Sequence, residues 1–495
     1  MLAASRRLMF RSPNVLNRTR AIAKHMSGVA GTKPPSDAEA EPLVRFESTL
    51  GLRTYALNRP KKLNALNDEM LSLLHPKIEE WDKAELAQVI VGTGVGRAFC
   101  AGGDVESVIT YAADEATRHK ALDFFKREFD LDLFLASLRK PYVALLDGHT
   151  MGGGVGLAAN APFRVATENT VFAMPETKIG YSPDVGSSYY MSRLDGELGT
   201  YLALTGDVLR GRAVFEHGFA THFIPSRRIP MLLDRLSNLE TIDRALIDRT
   251  LEELSSEREQ EEPPAPFIED TRVALDRAFQ HDRVERIVAD LELFSQDSDP
   301  AVRQWASATL KMLQERSPTS LKVALKAIRL GKEQTLVEAL NMELKIATAF
   351  CNGASPDFAT GVTAVLVTKS KGIPEWKPSR LEEVTDEIVD RFFSPHSPFL
   401  KNAPAVSDQG VARGASARSQ HKYTLPTEKE IRDVITGQDP DSGTMGYTLD
   451  DLLEYFYDST KGKSGVNEKV LEVVRRKTTV VDNNDGNFVW LRWNS

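Results

Sequence analysis

The sequence predicts an α/β fold, and three patterns carry that prediction. Short apolar runs, Gln88-Val89-Ile90-Val91, Val143-Ala144-Leu145-Leu146 and Phe163 to Thr167, alternate with stretches of helical periodicity. Strands that are apolar along their whole length belong to a sheet covered on both faces. A glycine-rich segment follows each of the first two runs, at 96–104 and 148–156, where a strand hands over to a helix.

The elements follow in order. The first 36 residues hold no Asp or Glu but carry Arg6, Arg7, Arg11, Arg18, Arg20, Lys24 and Lys33. That composition reads as a mitochondrial transit peptide, with a linker reaching residue 42. Leu43 to Thr49 and Leu52 to Asn58 read as strands joined at Gly51. Arg59-Pro60-Lys61-Lys62 is a loop, and Asn67 caps a helix whose buried stripe is Met70, Leu74, Ile78 and Trp81. The core is expected over 43–228, a helical and charged part over 229–394, a Ser-, Pro- and Gln-rich flexible linker over 395–427, and an ordered extension over 428–495. In the helical part, Ser317-Pro318 opens one helix and Leu336 to Phe350 forms another. The acidic stretch from Glu252 to Glu262 reads as a solvated face and loop.

Composition excludes several classes. The 495 residues are 41% hydrophobic and 27% charged, which is globular. No apolar run reaches the ~18 residues of a spanning helix. Cys100 and Cys351 cannot form a disulfide framework, and a net charge of -8 argues against a wholly basic, nucleic-acid-cradling surface.

The chemistry lies between residues 94 and 190. Gly96-Arg97-Ala98-Phe99-Cys100-Ala101-Gly102-Gly103-Asp104 and Gly148-His149-Thr150-Met151-Gly152-Gly153-Gly154-Val155-Gly156 can each present free backbone N–H groups at a helix start. Two such donors on one oxygen make an oxyanion hole. Glycines alone also make plain tight turns. No Walker sequence, dinucleotide fingerprint, Cys-x-x-Cys, His-x-x-x-His or G-x-S-x-G is present. His149, His217 and His222 are scattered and read as structural, so no metal is expected. Glu176 and Asp184 lie eight residues apart in 172–186, among apolar and aromatic residues whose desolvation suits a carboxyl to acid–base work.

These segments, with Asn58-Arg59-Pro60-Lys61-Lys62-Leu63-Asn64-Ala65-Leu66, Phe163-Arg164-Val165-Ala166-Thr167-Glu168, Ser317-Pro318-Thr319-Ser320-Leu321 and Trp376-Lys377-Pro378, resemble the crotonase superfamily of CoA-thioester enzymes. Within it the likeness is to the 3-hydroxyisobutyryl-CoA hydrolase branch, in order over residues 43–380. The resemblance implies a spiral crotonase (ClpP-like) core of two roughly perpendicular sheets with flanking helices, to which a C-terminal extension is added. It implies Gly103 and Gly153 as oxyanion donors, Glu176 as the catalytic carboxylate and Asp184 as the second acid. Glu128 would face the substrate pocket, and Asn64, Ala65 and Leu66 would receive the CoA adenine.

The activity implied is hydrolysis of a short hydroxyacyl-CoA in valine catabolism in the mitochondrial matrix, with an acyl-CoA substrate and no cofactor. Gly156 stands where related hydratases hold a second glutamate, which favours hydrolysis over the alternative of a hydratase or isomerase. The pattern departs from the family at Ala159-Asn160-Ala161 and at Thr360 and Thr363. Fungal members also resemble a constituent of the small mitoribosomal subunit. Arg413, Arg418, Lys422, the Arg475-Arg476-Lys477 cluster and the aromatic terminus would suit such a protein or rRNA surface.

Overall fold

Arg53, Tyr55 and Leu57 are buried at alternate positions of Leu52–Leu57 (β2), which pairs antiparallel with Val44–Thr49 (β1) around a tight turn. The turn differs from expectation. Leu50 takes the left-handed conformation (φ 50°), and Gly51 is required for space. A Cβ on Gly51 would lie 2.7 Å from the Leu239 carbonyl oxygen. In this computed structural model the described residues are 41–407, 422–442, 446–482 and 489–494. The chain divides into residues 1–42 and 43–495. The expected transit peptide over 1–36, and Arg413 and Arg418, lie outside the described residues.

The remaining strands of the larger unit are β3 (Val89–Gly94), β4 (Ala98–Cys100), β5 (Tyr142–Leu146), β6 (His149–Met151), β7 (Phe163–Ala166), β8 (Val171–Ala173), β9 (Leu209–Arg210) and β10 (His222–Phe223). They form a six-stranded sheet in the order β1-β2-β3-β5-β7-β10, parallel after the first pair, and a four-stranded sheet in the order β4-β6-β8-β9. Alternation divides the large sheet between two cores. Val89, Val91, Val143, Leu145, Phe163 and Val165 join Leu232, Leu236 and Ile247 on one side. Ile90, Tyr142, Ala144 and Leu146 join the main core on the other. Each such side chain contributes about 1.5–3 kcal/mol on burial.

Helices cover these faces. Asn67 accepts the Met70 N–H and caps Asp68–Lys83, which buries Met70, Leu74, Ile78 and Trp81. Arg118–Ala136 packs on Gly153–Ala159, a seven-residue helix buried along its whole length. Ser317 caps Pro318–Gly331, and a Thr335/Glu338 capping box opens Leu336–Cys351. The 357–362 helix, where Thr360 departs from the family, is anchored by Asp357, which accepts Ser317 Oγ (2.5 Å) and the Lys377 N–H (2.8 Å). The acidic stretch is only partly solvated. Glu262 pairs with Arg212 at 2.6 Å, and Glu252 accepts Lys463 Nζ and the Ser464 N–H.

The extension packs within the same unit. Lys469 pairs with Asp195 at 2.7 Å, and Tyr423, within the stretch expected to be a flexible linker, is buried against Phe163 with centroids 4.6 Å apart. Helices Glu428–Ile435, Leu449–Ser459 and Val466–Lys477 lead to a hairpin of Thr478–Asp482 (β11) and Val489–Trp493 (β12), so the aromatic terminus is a strand rather than a loose end. The Arg475-Arg476-Lys477 cluster is not a free basic face. The Arg476 side chain is 1% exposed, bonded to Glu428 and Glu472 and 3.6 Å from Asp276. Lys477 lies 3.9 Å from Asp276, and Arg475 alone is exposed.

Candidate active site

Leu66 sets one donor of the site. Its N–H bonds to Gly102 O (2.8 Å) and its carbonyl accepts the Asp104 N–H (2.7 Å). These two bonds bracket Gly103 and use its neighbours' groups, so among the described residues the Gly103 N–H donates to no backbone acceptor. The second donor comes from the turn between β6 and the 153–159 helix. Gly152 makes this turn at φ 48°, and Gly153 starts the helix, where an N–H has no intrahelical partner. The two glycines meet: a Cβ built on Gly153 would fall 3.3 Å from Gly103 N and against Glu128 Oε1.

Buried carboxyls surround this point. Pro175 precedes a short 3-10 helix, Glu176–Ile179, which Gly180 ends in the left-handed region. The turn is fixed by Thr177, whose hydroxyl donates to Leu204 O and whose carbonyl accepts the Ser317 N–H. Glu176 Oε1 lies 2.8 Å from where a Cβ of Gly152 would stand, and Glu176 Oε2 is buried without a hydrogen-bond partner among the described residues. Burial pushes the Glu176 carboxyl up to about 8, with the Glu343 charge adding to it. Glu128 is also raised, by burial first and then by Glu176. Asp184 is raised by burial and by Glu128 and Glu176, and it accepts the Tyr181 hydroxyl at 3.1 Å. Next to it Val185 is held at φ 55°, an outlier for a β-branched residue, of the kind found at constrained sites.

The structure thus brings Gly103, Gly153, Glu128, Glu176 and Asp184 together. It also shows what braces the 64–66 loop. Asn64 is fully buried and spends its amide on Val95 O (3.0 Å) and Ala98 O (2.7 Å), while its carbonyl accepts the Arg59 N–H (2.8 Å). Its side chain holds the loop in place. Leu66 is buried and acts on Gly103, and Ala65 alone of the three is partly exposed.

Two acids escaped the sequence reading. Asp132 follows Glu128 by one helical turn, is fully buried, and has both oxygens without a hydrogen-bond partner among the described residues. The spacing of four and the glycines opposite were the available signal: Glu128 meets Gly153, and Asp132 Oδ2 lies 2.6 Å from where a Cβ of Gly156 would be. Val185 Cβ lies equally close, so the 156 position has no room for a side chain. Glu343 accepts the N–H groups of Gly186 (2.6 Å) and Ser188 (2.8 Å), fixing the chain after Asp184. Only its apolar surroundings on a helix could have marked it.

Paired backbone donors beside buried carboxyls are the make-up of an enzyme of acyl-group chemistry. Residues 52–393 match the family model described as enoyl-CoA hydratase/isomerase, and the chain belongs to that family, with its crotonase fold. Among known proteins it is 39% identical to the mitochondrial 3-hydroxyisobutyryl-CoA hydrolase of Homo sapiens over 78% of this chain and 96% of that one. It is 38% identical to the small ribosomal subunit protein mS47 of Neurospora crassa over 92% of this chain and 88% of that one. Among solved structures, a carnitinyl-CoA dehydratase from Mycobacterium thermoresistibile is 31% identical with a TM-score of 0.64, covering 74% of this chain and 99% of that one.

Proposed function

We propose that the chain hydrolyses 3-hydroxyisobutyryl-CoA, or a closely similar short hydroxyacyl-CoA, to the free acid and CoA in the mitochondrial matrix. The observation that carries this reading is the meeting of Gly103 and Gly153 beside the Glu176 carboxyl. The thioester oxygen accepts both N–H groups, and its charge grows as the carbonyl becomes tetrahedral, so the donors bind the transition state more tightly than the ground state. Glu176, as carboxylate, takes the proton of the attacking water. Glu128 and Asp184, both buried, bond the substrate's 3-hydroxyl. As the intermediate collapses and the C–S bond breaks, Glu176 returns that proton to the sulfur, so CoA leaves as the thiol, and the residues of the site supply the steps with no cofactor. Similarity to mitochondrial hydrolases supports the substrate class and the compartment.

The hydroxyl contact is testable by removal. A pocket that leaves buried polar groups unpaired rejects a substrate lacking the matching group by large factors. Isobutyryl-CoA should therefore show kcat/KM lower by about 10²-fold or more than 3-hydroxyisobutyryl-CoA. Equal values would remove Glu128 and Asp184 from recognition.

A second reading, membership of the small mitoribosomal subunit, has its own support: the relative named as mS47 matches 92% of this chain, against 80% for the hydrolase of Gallus gallus. Because Arg476 is enclosed, attachment would use the exposed part of the extension, where Arg475 is exposed and Val480 is 63% exposed. The double variant Arg475→Glu, Val480→Asp should leave the small subunit in a sedimentation gradient while thioester hydrolysis persists. Unchanged co-sedimentation would place the contact elsewhere.

A further inference from the structure

His222 lies at the sheet edge on β10, far in sequence from the helix Arg244–Leu254, yet its ring meets two carboxylates of that helix spaced four apart. Nε2 is 3.2 Å from Asp248 Oδ1 and 3.1 Å from Glu252 Oε1, and the three ligand atoms lie within 4.8 Å of one another. The His222 side chain is 0% exposed. Nε2 and Asp248 Oδ1 are both buried and make no hydrogen bond of good geometry among the described residues. The other ring nitrogen is occupied. Nδ1 is 2.9 Å from Thr221 Oγ1, a hydroxyl that accepts the Arg164 N–H and lies 3.1 Å from Arg164 O. In the tautomer with Nδ1–H donating to Oγ1 and the hydroxyl proton on Arg164 O, Nε2 would turn a lone pair toward two carboxylates. That arrangement calls for a cation between them.

We propose that His222, Asp248 and Glu252 form a site for a divalent transition cation of the zinc type. Zinc takes nitrogen at about 2.0–2.1 Å and carboxylate oxygen at about 2.0–2.2 Å, so neighbouring ligands about a tetrahedral ion stand about 3.3 Å apart. The two His222 separations fit that edge. Asp248 and Glu252 are 29% and 22% exposed, which gives the ion an entrance and leaves a fourth position to water. Lys463 is the competitor. Its ammonium, on the extension, is bonded to the same Glu252 oxygen and is the cation of this cluster when no metal is bound. Zinc and the Lys463 contact are therefore mutually opposed, and the site couples ion binding to the grip of the extension on the core.

Zn²⁺ titrated by calorimetry into the full-length chain, after dialysis against EDTA, reads this out. One equivalent should bind. His222→Gln and Asp248→Asn should each weaken it by about tenfold or more. Asp248 is partly exposed, so its variant reports on the site even where His222→Gln fails to fold. Lys463→Met should bind about fivefold or more tightly, since a positive neighbour has been removed. Absence of stoichiometric binding, binding unchanged in Asp248→Asn, or no gain in Lys463→Met would overturn the proposal and leave the cluster as an ion pair of the extension.

Discussion

Glu176→Gln lowers kcat by about 10³-fold with KM within a few-fold of the parent, and at pH 8 the variant unfolds at a higher temperature. Glutamine keeps the shape of the side chain and removes the base, so the loss falls on the transition state. The gain in stability follows from proton linkage. Burial raises the Glu176 carboxyl from its ordinary value near 4.5 to about 8. Between those values the folded chain holds a proton that the unfolded chain releases, so stability falls as pH rises through that window. Above it the parent carries the full cost of a buried charge, at most about 5 kcal/mol at 1.36 kcal/mol per unit, and less where neighbouring acids share the proton. A neutral amide escapes it. The melting temperatures of parent and variant should converge near pH 4.5 and separate toward pH 8, and the parent's hydrolysis rate should climb over the upper part of that range. A variant that is both fully active and no more stable at pH 8 would remove the buried-base account.

Gly153→Ala lowers turnover by about 10²–10³-fold. The methyl group would fall 3.3 Å from Gly103 N and against Glu128 Oε1, in the space the thioester oxygen needs. Because Gly153 sits at a helix start without positive φ, alanine is compatible with its backbone. The lesion is steric and local, and the steady-state rate with 3-hydroxyisobutyryl-CoA checks it. Retention of more than a tenth of the parent rate would mean that the carbonyl is held elsewhere.

Much of this was legible in the chain. The continuous apolar runs of β3, β5 and β7 foretold a sheet covered on both faces, and Asn67 and Ser317 foretold two helix starts, because these signals are local. The glycine segments and Glu176 were visible as residue types, but their meeting was carried by family resemblance, since nothing in the spacing between 103, 153 and 176 brings them together. The bracing part of the Asn64 side chain was not legible, because its three backbone partners at 59, 95 and 98 are assembled only by the fold. Asp132 went unnoticed as one more charge on an amphipathic helix. Its significance comes from the glycine opposite it. The basic run at 475–477 looked like a surface for the same reason: the acids that enclose Arg476, at 276, 428 and 472, come from three separate helices.

Gly103, Gly153 and Glu176 together should make a thioesterase centre whose rate rises toward pH 8. Its most direct test is thiol release from 3-hydroxyisobutyryl-CoA by the purified chain, followed beside Glu176→Gln under the same conditions. The account predicts catalytic turnover in the parent and a rate lower by about 10³-fold in the variant. Release of CoA at the same rate by both proteins, or by neither above the uncatalysed rate, would contradict it.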